Sequence, residues 1–356
     1  MFCSSHQEPP PTLIPRALRE RLGDLFRGPA RHPHPQRRDA CLFSLGRVGD
    51  FVLTLSALRL LLREFGPDHC TLVIPEPVAA LAAREFPGVR RVTLPPEAGS
   101  LFRQILPIWR KARADLAANH FSRLVCLSHQ RSLYYELALS WIVADRGWRL
   151  TRSTYPATSD RGFGTELLGH WRLVETVLGR NVSREEILPR FSRLRPSDDG
   201  RLLVFPFSRD VSRNLPTDTA LDALRLWRQR DAAPLVLAGS PVDKAALARL
   251  AAAARAKGLD AAEIETPGDL EGLLAQIAAA GRVFAADSAP AHIATALDKP
   301  AVIMTSPSFH GYAQPWARSS RQRTFVHGTP AHVVATALEG SRPAGSGAPS
   351  PPAARP

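Results

Sequence analysis

Long apolar runs are missing from this sequence: no stretch reaches the roughly 18–20 residues that a membrane-spanning helix needs. Cysteine is scarce, with only Cys3, Cys41, Cys70 and Cys126 in 356 residues. They lie far apart and form no CxxC pair, which argues against a zinc site and a disulfide framework and fits a reducing compartment. The opening stretch, MFCSSHQEPPPTLIPRALRERLG, has no uninterrupted apolar segment, so neither a secretory signal nor a lipoprotein context for Cys3 is expected. These absences lead to a cytoplasmic expectation. Carboxylates are in deficit as well: 33 Asp and Glu stand against 46 Lys and Arg, a formal net charge of +13. An excess of this size favours a polyanionic partner, whether nucleic acid, a phosphorylated glycolipid or an anionic membrane surface. No aromatic-interleaved basic motif accompanies the charge, so nucleic acid is not an expected partner.

What remains is globular composition, 44% hydrophobic and 22% charged, in a length that suits two domains. Residues 1–38, rich in Pro, Arg and His, read as a largely disordered tail with one short amphipathic stretch around Leu13–Phe26. Residues 341–356 cannot bury a core and read as a second tail. Between them apolar runs alternate with helical patterns. In the first half, strands are expected at Cys41–Leu45, Thr71–Ile74, Val89–Leu94 and Arg123–Leu127. Helices are expected after Asp50 and over Pro77–Phe86, Gly99–Ala118, Ser132–Val143 and Glu166–Leu178, with a break at Pro87–Gly88.

After a polar, Pro-containing stretch around Arg193–Gly200 the alternation restarts. Strands are expected at Leu202–Phe205, Pro234–Ala238, Ala262–Ile264, Val283–Ala286 and Ala301–Met304. Helices are expected at Thr217–Arg230, Asp243–Lys257, Leu270–Ala280 and Pro290–Leu297. Strands separated by helices of this length imply right-handed βαβ units and parallel sheets. The expected class is α/β, with two Rossmann-like domains at 39–193 and 194–340 facing each other.

Three turns carry candidate chemistry. The first, Ser44-Leu45-Gly46-Arg47-Val48-Gly49-Asp50, follows a strand, where open α/β sheets bind ligands. Its glycines let the backbone approach a ligand, and Asp50 is either a reactive carboxylate or a helix N-cap. The string is not GxGxxG, so no dinucleotide fingerprint is present. The second, Asp287-Ser288-Ala289-Pro290-Ala291-His292, leads from a strand into a helix whose free amides and positive end suit a diphosphate. It also reads as a tight turn with His292 satisfied in an interface. The third, Phe207–Pro216, offers Arg209 and Arg213 as phosphate clamps or as a solvated loop. Asp243, after Gly239-Ser240-Pro241-Val242, is placed either to accept from ribose hydroxyls or to cap a helix.

In their order these motifs resemble the family 9 glycosyltransferases, the heptosyltransferases of lipopolysaccharide core synthesis. The segments concerned are SLGRVGDFVLTLSALRLL (Ser44–Leu61), RNLP (Arg213–Pro216), LAGSPVD (Leu237–Asp243), ADSAPAHIATALDKPAVIM (Ala286–Met304) and, more weakly, ELLGHWRLVETVLG (Glu166–Gly179). The resemblance implies a GT-B fold, an N-terminal acceptor domain and a C-terminal nucleotide-sugar domain around a central cleft. It implies Asp50 as general base on the acceptor hydroxyl, with Gly46, Arg47 and Gly49 on the acceptor side. Arg213 falls where the family usually has a lysine on the donor diphosphate, and Asp243 where an acidic residue holds the ribose. Asp287, Ser288, Ala289 and His292 match the phosphate-binding turn.

The chain departs from the family pattern at Ala289, usually glycine, at Leu215, usually tryptophan, and at Ser306-Pro307-Ser308, usually a GPT-like turn. The activity implied is metal-independent, inverting transfer from a nucleotide sugar, with no cofactor, since no DxD string falls among the carboxylates assigned to the cleft. Arg90, Arg91, Arg103, Arg110, Lys111 and Arg113 would face a phosphorylated glycolipid or glycan at the inner membrane surface, or form a solvated face.

Overall fold

The computed structural model describes residues 37–95, 110–111, 114–116, 120–128, 138–139, 142–149, 165–259, 263–310 and 316–340. The expected stretch around Leu13–Phe26, the tail at 341–356, Arg103, Arg113 and most of the helices expected at Gly99–Ala118 and Ser132–Val143 lie outside these residues. The chain splits into two compact units. One comprises Met1–Gly46, Leu62–Ala79 and Gly88–Leu150, and the other Arg47–Leu61, Ala80–Pro87 and Thr151–Pro356.

The first unit is built on a parallel sheet of strands β1 (Arg37–Phe43), β2 (Cys70–Pro75), β3 (Arg90–Leu94), β4 (His120–Cys126) and β5 (Val143–Arg149), in the order β3-β2-β1-β4-β5. β2 is buried along its whole length, as a central parallel strand covered on both faces must be. Helix α1 (Val48–Phe65) follows β1, and α2 (Ala79–Glu85) follows β2. α1 buries Leu53, Ala57, Leu60 and Leu61 as well as the expected Phe51, Val52, Leu55, Leu58 and Leu62, which makes it a core helix rather than an amphipathic one. Its two small hydroxyl residues are satisfied inside the core: Thr54 Oγ1 donates to the Phe51 carbonyl (2.8 Å) and Ser56 Oγ to that of Leu188 (2.7 Å). The expected break at Pro87–Gly88 is real, with Gly88 at φ 81°, a backbone state that only glycine adopts cheaply.

The second unit adds α3 (Thr165–Leu178) and the single-turn α4 (Arg184–Ile187) before a six-stranded parallel sheet. Its strands are β6 (Leu202–Phe205), β7 (Leu235–Ala238), β8 (Glu263–Glu265), β9 (Arg282–Ala286), β10 (Ala301–Thr305) and β11 (Gln322–Val326), in the order β11-β10-β9-β6-β7-β8. The connecting helices are α5 (Thr217–Arg228), α6 (Lys244–Ala256), α7 (Leu270–Ala279) and α8 (Ala289–Ala296), and α9 (Ala331–Gly340) closes the unit. β6, β7, β9 and β10 are wholly buried, and apolar at every position but Arg282 and Thr305.

Two strands were not foreseen. β5 (VADRGWR) begins at Val143, where the sequence pattern had ended a helix, and β11 (QRTFV) was not expected at all. Both lie at sheet edges, where one face and one row of backbone groups meet solvent and charged residues are favoured over apolar runs. Among the described residues no helix is long and apolar enough to cross a membrane.

An ion pair anchors α5 to β9: Arg282 Nη1 lies 2.6 Å from Asp231 Oδ2, both side chains buried, with the guanidinium 5.4 Å from the Trp227 ring. Asp231 also accepts from the Ala233 amide at 3.0 Å. Replacing Asp231 by alanine strands the arginine charge in the core and should cost about 3–5 kcal/mol. Urea unfolding of the variant measures this directly, and a loss no larger than an exposed pair gives, about 1 kcal/mol or less, would contradict it.

Candidate functional site

In the second sheet the chain runs outward from β6 to β7 and β8, then crosses back to β9 and runs the other way to β10 and β11. The neighbours β6 and β9 therefore send their following loops in opposite directions, which opens a crevice at their carboxyl ends. Two of the three candidate turns flank that point.

The loop after β6 is an ordered structure. Asp210 caps a 3-10 turn at Val211–Arg213, accepting from the Ser212 amide (3.1 Å) and hydroxyl (2.7 Å). Asn214 Oδ1 accepts from the Ser208 amide (2.7 Å), and the Leu215 amide donates to the Pro206 carbonyl (2.9 Å). The Ser212 bond, with Arg213 and Arg47 nearby, holds the Asp210 carboxyl below its ordinary value. Arg209 is exposed, whereas Arg213 is only 18% exposed, so the two arginines considered as clamps part company here. The Arg213 guanidinium lies 4.5 Å from the Phe309 ring, with Nη1 3.9 Å from Asp287 Oδ2 and Nε 4.0 Å from Asp210 Oδ2. Its Nε has no hydrogen-bond partner among the described residues.

Asp287 ends β9, its amide extending the ladder to the Met304 carbonyl (3.0 Å). Its side chain is 1% exposed, and among the described residues neither carboxylate oxygen receives a hydrogen bond. Its nearest basic groups are Arg213 and His292, whose Nε2 lies 3.7 Å from Oδ1. Burial raises the Asp287 carboxyl above the ordinary aspartate value, His292, Arg213 and His310 oppose the shift, and Glu166 of α3 adds to it. Ser288 is the N-cap of α8, yet its hydroxyl turns back to the Ala286 carbonyl (3.1 Å), so its side chain does not cap this helix. Pro290, within the first turn, has no amide hydrogen to lose. His292 is buried, its Nδ1 accepting from Trp316 Nε1 at 3.1 Å.

The helix α1 starts at Val48, three residues earlier than expected, so Asp50 lies inside the first turn rather than at its cap. Its Oδ2 accepts from the Arg47 amide at 2.8 Å, the backward half of a capping box. Gly46 is half-buried and Arg47 exposed. Gly49 is buried because α1 and α8 nearly touch: a Cβ there would stand 3.0 Å from His292 Cδ2 and 3.5 Å from Ala289 Cα. The first and second turns thus meet at one place.

Asp243 is elsewhere, after β7, where its Oδ2 accepts from the Ser240 amide (3.0 Å) and hydroxyl (2.6 Å) in a capping box before α6. In the turn at Ser306-Pro307-Ser308, the Ser306 carbonyl accepts from the Phe309 and His310 amides, both at 3.0 Å. Sequence reasoning gave no role to Phe309 or Trp316 and singled Glu166 out only as the start of a helix. Phe309 and Trp316 are isolated aromatics with no period or motif to mark them. Among the described residues no group of three His, Cys, Asp or Glu is arranged to hold a metal ion.

Two Rossmann-like units, each a parallel sheet with crossover helices, make the GT-B fold of glycosyl-transferring proteins, and comparison with solved structures agrees. E. coli heptosyltransferase WaaC with ADP aligns over 86% of this chain and 100% of its own, at 16% identity and a TM-score of 0.63. E. coli ADP-heptose lps heptosyltransferase II aligns over 85% and 98%, at 15% identity and 0.61. The glycosyl transferase family 9 protein from Veillonella parvula aligns over 83% and 88%, at 16% identity and 0.60. No curated protein sequence matches the chain. Residues 222–336 match the family model of glycosyltransferase family 9 (heptosyltransferase), the family the motifs resemble. That span contains Asp243 and Asp287–His292 and stops short of Asp50 and Arg213.

The unsatisfied carboxylate at Asp287 has a measurable consequence. With its folded-state pKa raised, ionising it weakens the fold above the unfolded-state pKa and has no effect below it, where both states are protonated. Asp287→Asn should therefore melt at a higher temperature than the parent at neutral pH. The gain should vanish as pH falls below about 3.9, the ordinary aspartate value. Thermal melts across that range test this, and identical melting of the two proteins at neutral pH would show that the buried charge is already compensated.

Proposed function

We propose that the protein is an inverting, metal-independent glycosyltransferase that moves a sugar from a nucleoside-diphosphate donor to an acceptor hydroxyl. The donor proposed is ADP-heptose and the acceptor a lipopolysaccharide core or related phosphorylated glycan. The observation that carries this reading is the packing of Gly49, the residue before Asp50, against Ala289 and His292 in the first turn of α8. A base and an anion-binding helix end at close quarters are what displacement of a diphosphate by a hydroxyl requires.

In this reading Asp50 removes the hydroxyl proton as the oxygen attacks the anomeric carbon from the face opposite the leaving group. Its bond to the Arg47 amide fixes the carboxylate's orientation. Gly46, Arg47 and Gly49 line the acceptor side. Arg213 and the first-turn amides of α8, with Ser288, Ala289 and His292, take the charge that builds on the departing diphosphate. Asp287 accepts from donor hydroxyls and Asp243 holds the ribose. WaaC was solved with ADP and, in another structure, with ADP-2-deoxy-2-fluoro heptose, which supports a nucleotide-sugar donor here. The protein would work in the cytoplasm, its basic residues Arg90, Arg91, Arg110 and Lys111 directed to a phosphorylated acceptor at the inner membrane surface.

A second reading, a nucleotide-sugar-binding protein without turnover, draws on the same Arg47–Asp50 bond, which makes Asp50 a helix-capping residue, and on the extra methyl of Ala289. Asp50→Asn separates the two, because asparagine caps about as well as aspartate but accepts no proton near neutral pH. Transfer from ADP-heptose should fall by ~10²–10⁴-fold while melting temperature and ADP affinity hold. A folded variant with full transfer rate would make Asp50 a cap only. Wild-type protein that binds donor and transfers to nothing in a broad acceptor panel would favour the second reading.

Charge neutralisation by Arg213 and α8 also makes transfer independent of divalent ions. Activity should persist in excess EDTA, and loss in EDTA with recovery on adding Mg²⁺ or Mn²⁺ would overturn the metal-free mechanism.

A further inference from the structure

The two basic groups closest to Asp287 are each touched by an aromatic residue that follows β10. Phe309 lies against the guanidinium of Arg213, and Trp316 against the imidazole of His292. The second contact has chemical content beyond packing. An indole N–H only donates, and a neutral imidazole has one donor and one acceptor nitrogen. With Trp316 Nε1 donating at 3.1 Å, Nδ1 of His292 must be the acceptor, and the ring proton belongs on Nε2. The other tautomer would bring two N–H groups face to face between side chains that are 1% and 5% exposed.

The two rings are inclined by only 10° with centroids 6.2 Å apart, so they lie edge to edge as one plate. On the opposite edge, Cδ2 of His292 abuts Gly49. Held on both sides, the imidazole cannot rotate without breaking the Trp316 bond or meeting the α1 backbone. Its Nε2 faces Asp287 Oδ1 at 3.7 Å, a gap that a small shift or an entering ligand oxygen would close.

We propose that Trp316 is a positioning residue of the donor site: its indole N–H fixes His292 as the Nε2–H tautomer and aims that proton at Asp287 and at the oxygens of a bound diphosphate. The functional part rests on the donor-site reading above, and the tautomer rests on geometry alone. Without the indole donor this constraint on the tautomer is lost, and Nε2 can present a lone pair, which repels phosphate oxygen, where it now presents a proton.

The test uses the full chain labelled with ¹⁵N-histidine. The His292 signals, among eleven histidines, are assigned by their loss in His292→Gln. In the parent protein the two-bond nitrogen–proton pattern should show an unprotonated Nδ1 and a protonated Nε2. In Trp316→Phe, which keeps an aromatic body and removes only the donor, that pattern should give way to a mixture. ADP affinity by calorimetry should drop about 10-fold, the scale of one lost ligand hydrogen bond. A proton on Nδ1 in the parent protein overturns the proposal with no variant needed, so a poorly folding Trp316→Phe cannot shelter it. So does a folded Trp316→Phe in which either the tautomer or the ADP affinity is unchanged. Failure of the parent protein to bind ADP would instead remove the donor-site reading, leaving the tautomer to be decided by the spectrum.

Discussion

A carboxylate that receives no hydrogen bond among the described residues is sealed at the end of β9, and the second unit is arranged around that fact. Asp287 sits where a central strand ends, so covering strands and helices exclude water from it. Its charge is met from a distance by groups drawn from three separate connections: Arg213 after β6, His292 in α8 and His310 after β10. None closes to hydrogen-bonding distance, and the nearest approaches are 3.7 and 3.9 Å. A fold selected for stability alone would supply donors or replace the carboxylate, because burying a charge that no hydrogen bond satisfies is costly. Buried carboxylates whose pKa is raised in this way cluster where ligands bind.

The second constraint is the approach of two helix starts. α1 and α8 both begin beside Gly49, and a helix N-terminus carries about half a positive charge in its unpaired amides. Bringing two together is unfavourable unless something negative sits with them. Asp50 supplies part of it by taking the Arg47 amide, the first-turn role that acidic residues fill at helix starts. Capping and catalysis are then compatible uses of one side chain. An ionised carboxylate has about four acceptor positions, and one bond to Oδ2 orients the group without exhausting it.

How much of this was legible in the sequence follows from what each residue has for neighbours. Central strands such as Leu202–Phe205 and Ala301–Thr305 are continuous apolar runs because both faces are covered, and they were found from composition alone. Edge strands β5 and β11 carry arginines and polar residues, so their pattern is indistinguishable from a loop's. The site divides in the same way. Asp50, Arg213 and Asp287 stand at strand-to-helix turns whose glycines, prolines and small residues mark them locally. Phe309 and Trp316 act through contacts to residues distant in sequence, Arg213 and His292, and no local pattern encodes such a partner. The residues alone did not separate Arg209 from Arg213, since that depends on which of two loop arginines turns inward, and only the resemblance singled out Arg213.

The contacts also account for an arginine where the family pattern expects lysine. At position 213 the side chain has to reach towards Asp287 and Asp210, at 3.9 and 4.0 Å, while lying against the Phe309 ring. A guanidinium does this because it is planar, carries five donors in a fork and stacks on aromatic faces. An ammonium is a compact point charge that gives up more hydration on entering such a place and offers no face to stack. Phe309 in turn belongs to the turn at Ser306–His310, where the chain departs from the GPT-like pattern and the Ser306 carbonyl gathers two amides to fold the ring inward. The two departures therefore meet in space: Phe309, bonded through its amide to the Ser306 turn, offers the guanidinium at position 213 a face that an ammonium could not stack on.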